Sequence, residues 1–581
     1  MILNRIVEFA ERHAAQPTGY QPRFITKVIR LRPNGTLINV QPLSGEKRGK
    51  REGRTRSEPQ ESPLRTVGVK ARLLADNVNY ALGKTREKDK PEQVQARHAA
   101  WITLLDECMA ATSDPDVSAV VAWVQSGGPS TLRDSDDIEE DDDLTFEVDG
   151  RFPTDQPAIR QFWANRAETK SNGVCIITGR YGAVVDRMPA PIKGVPDGQM
   201  SGTALISVNN AAGESYGLSA ALNSPVSPDA AEMLCNGLNI LLNEEAGTDE
   251  KGRRKYKYSL RVGKSVFVAW CRDESEFSPF KLLEAPDPDH VQQIVEQARR
   301  GGTAPTAASA DFYVLALSAN AARIVVRDYH ETTLDSVKAN LGQWFQRLEI
   351  IGLDGRQARP VGIYRLAGSL YRDANKEMPA HVPTALVTAA LAGRPIPEYI
   401  LGLAVKRNLA MQGPYFEFNK NMLLSLERIA LIKAILEQGG DKELSALNEH
   451  HQDPAYHCGR LLAVLESIQR YSALPAKLNS TLVDRYYGAA CCSPGSILGT
   501  LVNNAQPHLA KMRKGKGDGW AQRLLQDVLS AVGDHFPKTL SLQRQGLFAL
   551  GYYHQKAYRS PVDAESLAVA ADIDSIEGDN Q

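Results

Sequence analysis

The apolar positions follow two different rhythms along the chain. In the first two-thirds, short runs of β-branched and aromatic residues bounded by Gly, Asn or Ser predict strands. These runs lie at 204–208, 265–270, 312–317 and 323–327. In the same region, apolar residues three to four positions apart predict helices at 93–111 and 334–348. Because strands and helices do not alternate regularly, we predict an α+β fold rather than a doubly wound sheet.

From about residue 383 onward the strand signals stop. Successive amphipathic segments with short connections predict a helical bundle there, with helices at 422–438, 459–474, 494–509, 520–532 and 541–558. We therefore predict three parts, namely a mixed α+β N-terminal domain at 1–382, a C-terminal helical bundle at 383–561, and a disordered acidic tail at 562–581.

The composition is that of an ordinary globular protein, with 42% hydrophobic and 24% charged residues among 581. The seven cysteines include no Cys-x-x-Cys pair, which favours reduced thiols and a cytoplasmic location. No segment reaches the ~18 uncharged apolar residues that a membrane span needs. The first residues predict the start of a helix rather than a signal peptide.

The formal net charge is only −1, which taken alone argues against a polyanionic partner. The charges are, however, concentrated in blocks. Residues 47–56 carry six basic side chains and one acid, which predicts a mobile basic loop, and residues 251–264 carry seven basic groups and no acid. Residues 134–143, hereafter the acidic segment, carry eight acids and are not expected to pack in a core.

Two kinds of motif hint at an enzyme but fit poorly. Ser215 is the centre of a Gly-x-Ser-x-Gly pattern, but a serine-hydrolase elbow needs the serine directly between a strand and a helix. Four residues separate Val208 from the first glycine of the pattern, which favours a turn. The Gly-Lys-Ser/Thr fragments at 83–85 and 263–265 lack the earlier glycine of a phosphate-binding loop, so an ATP-driven motor is not supported.

A histidine-rich stretch at 450–458 holds five possible metal ligands within nine residues. Pro454 interrupts the spacing of three or four that ligands on one helix require, so a loop with Asp453 starting the next helix is the simpler interpretation. A nuclease centre near His457 remains a rival. We predict no metal and no cofactor.

Other stretches suit nucleic acid. Tyr256 and Tyr258 alternate with cations, which on a strand would place aromatic rings on one face and cations on the other. The helix predicted to end at Leu509 is followed by a cationic run that we predict to be a flexible loop suited to a phosphate backbone. Residues 65–83 couple basic side chains to Asn77 and Asn79, whose amides suit base edges, although a packed helix with an N-cap accounts for them equally well.

Many motifs, in the same order, resemble the large subunit of the subtype I-C CRISPR surveillance complex, and the resemblance extends along nearly the whole chain. The motifs are residues 1–3, 68–70, 76–77, 80–83, 175–179, 191–195, 214–217, 312–315, 321–324, Tyr456, 459–461, 484–490 and 545–555. The acidic segment and the C-terminal tail look peculiar to this chain and inherit nothing from the family.

The resemblance implies a subunit without catalytic residues that recognises the protospacer-adjacent motif in double-stranded target DNA. Such subunits help to open the duplex, stabilise the R-loop formed with CRISPR RNA, hold the displaced strand, contact other complex subunits and recruit a helicase-nuclease. The implied motif-reading candidates are Lys70, Arg72, Asn77 and Asn79. Candidate contacts to nucleic-acid backbone are Lys47, Arg48, Lys50, Arg51, Arg253, Arg254, Lys255, Lys257, Arg485, Lys511, Arg513, Lys514 and Lys516.

The helical part resembles the small subunit of related complexes, and in this family an internal start can produce it separately, for which Met411 and Met422 are candidates. A serine hydrolase using Ser215 and a purely structural scaffold are the alternative functions.

The near-zero net charge does not argue against a DNA partner once the acidic stretches are counted separately. Without the acidic segment and residues 562–581, which together hold fourteen acids and no base, the formal charge of −1 becomes +13. The two acidic stretches therefore cancel the positive charge of the rest of the chain in the total, and they could restrain that part from binding DNA indiscriminately.

Overall fold

A computed structural model describes most of the chain, and its contacts divide the chain into two compact units. The described residues are 1–13, 19–49, 51–60, 68–87, 89–166, 171–208, 211–214, 217–249, 252–273, 275, 277–300, 310–410, 425–440, 444–476, 478, 480–515 and 517–558. The first unit comprises Met1–Gly194, Gly198–Glu244 and Asn320–Ile324. The second comprises Val195–Asp197, Glu245–Ala319 and the described chain from Val325 onward.

The first unit contains two small sheets, a hairpin and seven helices among its described residues. The strands are β1 (Tyr20–Ile25), β2 (Lys27–Leu31), β3 (Leu37–Pro42), β4 (Glu46–Arg48), β5 (Arg51–Pro59), β6 (Asp76–Asn77), β7 (Asp143–Val148), β8 (Ser171–Val174) and β9 (Tyr181–Val184). The helices are α1 (Ile2–His13), α2 (Val78–Ala81), α3 (Pro91–Thr112), α4 (Pro115–Gln125), α5 (Gly128–Arg133), α6 (Pro157–Asn165) and α7 (Pro228–Asn243).

One sheet has the order β1-β5-β4 and is antiparallel, and the other has the order β3-β2-β7-β6. In the second sheet β2 and β7 are parallel, while β6 is antiparallel to β7 and places Asn77 opposite Asp143. Phe146 on β7 lies between two buried tryptophans, with ring centroids 5.8 Å from Trp101 on α3 and 5.5 Å from Trp123 on α4. Because this aromatic core fixes β7, it also fixes the position of Asn77 at the sheet edge.

The second unit combines a hairpin, a four-stranded sheet and thirteen helices among its described residues. The strands are β10 (Glu245–Thr248), β11 (Arg254–Tyr256), β12 (Ser259–Val262), β13 (Ser265–Cys271), β14 (Asp311–Asn320) and β15 (Arg323–Thr333). The helices are α8 (Pro279–Glu284), α9 (Pro288–Arg299), α10 (Leu334–Leu348), α11 (Ile363–Gly368), α12 (Ala374–Glu377), α13 (His381–Ala392), α14 (Glu398–Ala410), α15 (Leu426–Gln438), α16 (Pro454–Ala473), α17 (Leu482–Cys492), α18 (Pro494–Gly515), α19 (Gly519–Val532) and α20 (Leu542–Ala557).

Helices α16 and α20 cross at a pair of glycines. A Cβ atom on Gly551 would lie 1.9 Å from the carbonyl oxygen of Tyr456, and one on Gly459 would lie 2.0 Å from that of Phe548. The backbones therefore approach closely only because neither residue has a side chain. The sheet strands and the helices of this unit share one hydrophobic core, which runs from Leu260 to Ala557.

The α+β class is confirmed, and so are the helices predicted at 93–111 and 334–348 and those predicted after 459. The strand predicted at 204–208 is wrong, because Ala204 forms only an isolated bridge to Arg323 and no ladder continues it. Residues 562–581 lie outside the described residues. From residue 383 the described chain contains helices and no strand, but its core is continuous with the sheet, and an independent bundle at 383–561 remains a prediction.

Candidate nucleic-acid interface

A cleft of about 460 Å³ in the first unit gathers residues that are far apart in the sequence. Its lining residues, hereafter the arginine cleft, are Arg23, Arg51, Arg72, Asn77, Arg86, Asp141 and Asp143. The four guanidinium groups against two carboxylates leave the lining with an excess of positive charge. Three candidates from the sequence, Arg51, Arg72 and Asn77, lie here together.

Arg51 reaches the cleft from a strand, so the prediction of a mobile basic loop at 47–56 is wrong. Glu46–Arg48 and Arg51–Pro59 form the β4–β5 hairpin, and β5 also pairs with β1. The hairpin is held because the Arg48 guanidinium lies 4.7 Å from the centroid of the Phe24 ring, and Gly53 packs closely against that same ring. Lys47 and Arg48 are exposed on β4, whereas Lys50 lies outside the described residues.

Asp76 holds the turn that presents Arg72 and Asn77. One carboxylate oxygen accepts the backbone N–H of Arg72 at 2.9 Å and the other accepts that of Asn77 at 2.8 Å. Asn77 precedes α2, but its side chain makes no capping hydrogen bond, and its Oδ1 atom is buried without a hydrogen-bond partner. An unpaired buried acceptor costs roughly 1–3 kcal/mol, so a hydrogen-bond donor beside this atom would be favourable.

Asn79 and Lys70 occupy different environments from Asn77. The Asn79 side chain is buried and donates to the Lys84 carbonyl at 2.7 Å and to Asp89 at 2.9 Å. Its amide therefore stabilises the loop after α2, which is the packed alternative that the sequence left open. Lys70 is half-buried, its backbone N–H donates to the Tyr80 hydroxyl at 3.2 Å, and it is not among the lining residues of the arginine cleft.

Arg23 and Arg86 are cleft residues that the sequence motifs do not indicate. Arg23 lies on β1 and Arg86 in the loop before α3, within a cationic stretch at 84–90, and neither belongs to a motif that the sequence singles out. Only the pairing of β1 with β5 and the fold of the loop bring them beside Arg51 and Arg72. Arg23 is half-buried on β1, and nothing in the sequence indicates its neighbours.

The acidic segment closes one side of the arginine cleft. Asp143 lies 3.1 Å from Arg23 and 3.8 Å from Arg51, and Asp141 lies 3.8 Å from Arg86. Arg51 also donates to the backbone carbonyl of Asp141 at 2.7 Å. Asp142 is buried and paired with Lys27 at 2.9 Å, so the prediction that no part of this segment packs inside is wrong. The reason is that neighbouring cations neutralise the repulsion between the acids.

In the second unit, the described part of the basic stretch, residues 252–264, contributes to a hairpin and to the four-stranded sheet. The predicted single alternating strand is wrong, because β11 ends at Tyr256 and β12 begins at Ser259. Cations lie over the tyrosine rings instead of on the opposite face. Arg261 lies 4.0 Å from the Tyr256 ring centroid and donates to its hydroxyl, and Lys257 lies 4.8 Å from the Tyr258 ring centroid. This arrangement follows from cation–π attraction.

Two other cations of this hairpin are neutralised locally. Arg254 pairs with Glu245 at 2.9 Å across the two strands, and Arg253 pairs with Asp249 at 2.7 Å. Lys255 is exposed on β11. The hairpin therefore presents fewer available charges than its sequence suggests.

The cationic run after Leu509 is helical, so the prediction of a flexible loop is wrong. Helix α18 continues to Gly515 because Met512 is buried in the core and extends its apolar stripe by one turn. Lys511 and Lys514 are exposed on its last turns, and Arg513 pairs with Asp518 at 3.0 Å. Lys516 lies outside the described residues.

Arg485 on α17 belongs to the same neighbourhood. It is exposed at a cavity of about 300 Å³ between α16, α17 and α18, together with Tyr486 and His508. His508 lies one turn before Lys511, and burial together with that cation lowers the pKa of its imidazole. Arg485, Lys511 and Lys514 form what we call the bundle cations.

Neither rival enzyme gains support from the geometry. Ser215 lies outside the described residues. In the histidine-rich stretch, Asp453 caps α16 by accepting the backbone N–H of Ala455 at 2.9 Å, as predicted. His457 is buried, and its Nε2 is 2.6 Å from the His451 carbonyl oxygen. Within the described ranges no three His, Cys, Asp or Glu side chains are grouped as metal ligands.

Comparison with known families identifies the chain. The model of the family described as CRISPR-associated protein (Cas_Csd1) matches residues 4–559, which is nearly the whole chain. No curated protein matches it. No helix among the described residues is both long and apolar enough to cross a bilayer. The match confirms the family resemblance drawn from the sequence motifs, and the chain therefore belongs to the Cas_Csd1 family of CRISPR-associated proteins, as a subunit of a CRISPR surveillance complex.

Proposed function

We propose that this chain is the DNA-recognition subunit of a subtype I-C complex and that the arginine cleft reads the protospacer-adjacent motif in duplex DNA. The observation that carries the proposal is the meeting of Arg23, Arg51, Arg72 and Arg86 around an asparagine with an unpaired acceptor. In this division of labour the protein reads a short motif and guide RNA reads the rest by base pairing.

The arginines suit the phosphate backbone. Guanidinium groups donate in a planar fork that matches two phosphate oxygens, and contacts of this kind fix the register of a protein on the duplex. Arg51 and Arg86 are partly exposed, with 42% and 31% of their side-chain surface accessible, so both can meet a ligand at the cleft mouth. Arg72 is only 10% exposed and fits the floor of the site.

Asn77 suits the bases. An asparagine amide can donate and accept at once, which matches the N6 and N7 atoms of adenine in the major groove. Its position opposite Asp143 in the sheet ladder holds its backbone rigidly, so the side chain reads from a fixed point. The Asn79 amide already donates to Lys84 and Asp89 in the loop after α2, so in this proposal it stabilises the loop and does not read a base.

The other cationic surfaces serve the strands that the opened duplex releases. Arg485 lines a cavity together with Tyr486, and Lys511 and Lys514 are exposed on the next helix. These groups suit a displaced strand whose bases can stack. Lys255 and Lys257 on the hairpin offer a second, sequence-independent contact to CRISPR RNA or DNA. Arg253, Arg254 and Arg513 are already paired and contribute less.

In this proposal the chain does not catalyse a reaction. It acts in the cytoplasm with CRISPR RNA and the other complex subunits, and it recruits the helicase-nuclease that cuts the target. The N-terminal part at 1–382 carries motif recognition, and the helical part at 383–561 serves as the small-subunit-like region. The candidate internal starts Met411 and Met422 lie outside the described residues.

The test is binding of the assembled complex to a duplex library in which the bases flanking the target are randomised. Asn77→Ala should lose about 1–3 kcal/mol for the preferred motif and little for other sequences, since it removes one bidentate base contact. Asn39→Ala, an exposed asparagine on β3 outside the cleft, is the matched control. If Asn77→Ala changes neither affinity nor motif preference while the complex still assembles, the chain is a scaffold and the proposal is wrong.

A further inference from the structure

We infer that the acidic segment is an internal competitor of nucleic acid, with Asp141 and Asp143 occupying the places that phosphate oxygens take in the arginine cleft. This inference rests on the proposed function, because it assumes that the cleft binds DNA. It goes further by assigning a regulatory role to the acidic segment.

The contacts are those of an anion seated on a cation site. Asp143 contacts two guanidinium groups of the cleft, those of Arg23 at 3.1 Å and Arg51 at 3.8 Å. Asp141 contacts that of Arg86 at 3.8 Å. A carboxylate presents two oxygens to a guanidinium as a phosphate does, so the same donors serve both ligands.

Other contacts hold the backbone of the acidic segment in place, and they keep the effective concentration of its carboxylates at the cleft high. Lys27 pairs with Asp142 at 2.9 Å, Thr26 donates to the same carboxylate at 2.7 Å, and Lys84 donates to the Ile138 carbonyl at 2.6 Å. Buried Ile138 adds an apolar contact. The anchors hold the backbone, so only the carboxylates of Asp141 and Asp143 must yield when DNA arrives.

The bound carboxylates lower the apparent affinity of the arginine cleft for DNA. Asp141 is 73% exposed, and its pair with Arg86 is long, so this contact is weak and can exchange with a phosphate. A tethered competitor lowers the apparent affinity by the fraction of time that it leaves the site open. Every duplex loses affinity by the same factor, so at a given DNA concentration a duplex that offers only backbone contacts stays unbound while one that also satisfies Asn77 still binds.

The experiment measures duplex affinity of the assembled complex carrying Asp141→Asn with Asp143→Asn. Both changes are isosteric, and an unchanged thermal midpoint will show that the fold is kept. We expect binding of matched and unmatched duplexes to tighten about three- to tenfold, as for a site freed from a competitor that covers it most of the time. Asp136→Asn with Glu140→Gln removes the same charge from exposed residues of the segment that do not line the cleft, and is the control.

A second set of variants, which lack the arginine partners, distinguishes competition for the cleft from a general effect of removing negative charge. In a complex that also carries Arg23→Gln, Arg51→Gln and Arg86→Gln, the gain from Asp141→Asn with Asp143→Asn should disappear, because the three ion-pair partners of the competitor are gone. An equal gain in the control variant, or a gain that persists in this background, overturns the inference and leaves the proposed function intact. If no variant binds duplex DNA even at low salt, both the inference and the proposed function are wrong.

Discussion

At the scale of single residues, the cleft depends on side chains whose importance is invisible in the sequence. Arg23 and Arg86 belong to none of the sequence motifs, and only the fold brings them together with Arg51 and Arg72. Asn77 and Asn79 look equivalent in the sequence, yet one has an unpaired acceptor at the cleft and the other is buried in the loop. The residue types predicted the chemistry, and the tertiary contacts decide which of them perform it.

Arg23→Gln with Arg86→Gln should weaken binding of every duplex by a similar factor. Each DNA phosphate that the variant no longer neutralises should lower the slope of log affinity against log salt by ~0.9. The measurement is a salt titration of the assembled complex with matched and unmatched duplexes. Arg180→Gln with Arg187→Gln, exposed cations outside the cleft, is the charge-matched control. A weakening confined to the matched motif would show that these arginines read bases.

His554 gives a prediction about stability and pH. Burial, helped by Lys433 and His451, lowers the pKa of its imidazole to about 3. In the unfolded chain this histidine binds a proton below about pH 6.5, whereas in the folded chain it stays neutral down to about pH 3. The free energy of unfolding therefore falls as the pH falls from 6.5 toward 3. Relative to His554→Gln, the natural protein should lose about 2 kcal/mol more between pH 7 and pH 5 in urea unfolding. Parallel curves for the two proteins would refute this.

At the scale of secondary-structure elements, the crossing of α16 and α20 organises the second unit. Gly551→Ala should destabilise the protein by about 3 kcal/mol, the upper part of the range for overpacking, because the Tyr456 backbone cannot yield easily. Gly499→Ala on α18 is the control, since its added methyl group meets no atom within 4 Å and Ala favours a helix. Equal unfolding midpoints for the two variants would mean that the helices do not cross as described.

The end of α18 carries the prediction for the displaced strand. Lys511→Gln with Lys514→Gln should weaken binding of an opened duplex regardless of sequence and lower its salt slope by ~0.7 for each single-strand phosphate that is no longer neutralised. Arg523→Gln with Lys538→Gln, exposed elsewhere in the same unit, is the control. The measurement compares a fully paired target with one whose displaced strand is removed. An effect of the same size on both targets would dissociate these lysines from the displaced strand.

At the scale of the whole molecule, the sequence predicts the helices well and the charged surfaces poorly. Long periodic helices such as α3, α10 and α16 follow from local spacing alone. The β4–β5 hairpin was missed because a highly charged run packs on Phe24, and the end of α18 was missed because buried Met512 prolongs the helix. In both cases a tertiary contact overrides a local signal.

The positions of the charged groups in the fold explain the near-zero net charge. Four arginines that are distant in the sequence are gathered into a cleft, and two aspartates of the acidic segment lie directly against them. Opposite charges that cancel in the total therefore face each other in space. A neutral total is compatible with DNA recognition when the neutralising groups can be displaced.

If the arginine cleft holds the motif, photocrosslinking will place the motif bases against it. A target duplex with a photoreactive base in its preferred motif should be bound to the assembled complex, irradiated and digested, and the crosslinked peptides identified. We predict crosslinks to residues 68–87, which include Arg72, Asn77 and Arg86, and their disappearance when the motif is changed. Motif-dependent crosslinks found only in the hairpin at 245–262 or in α17 and α18 would contradict the account.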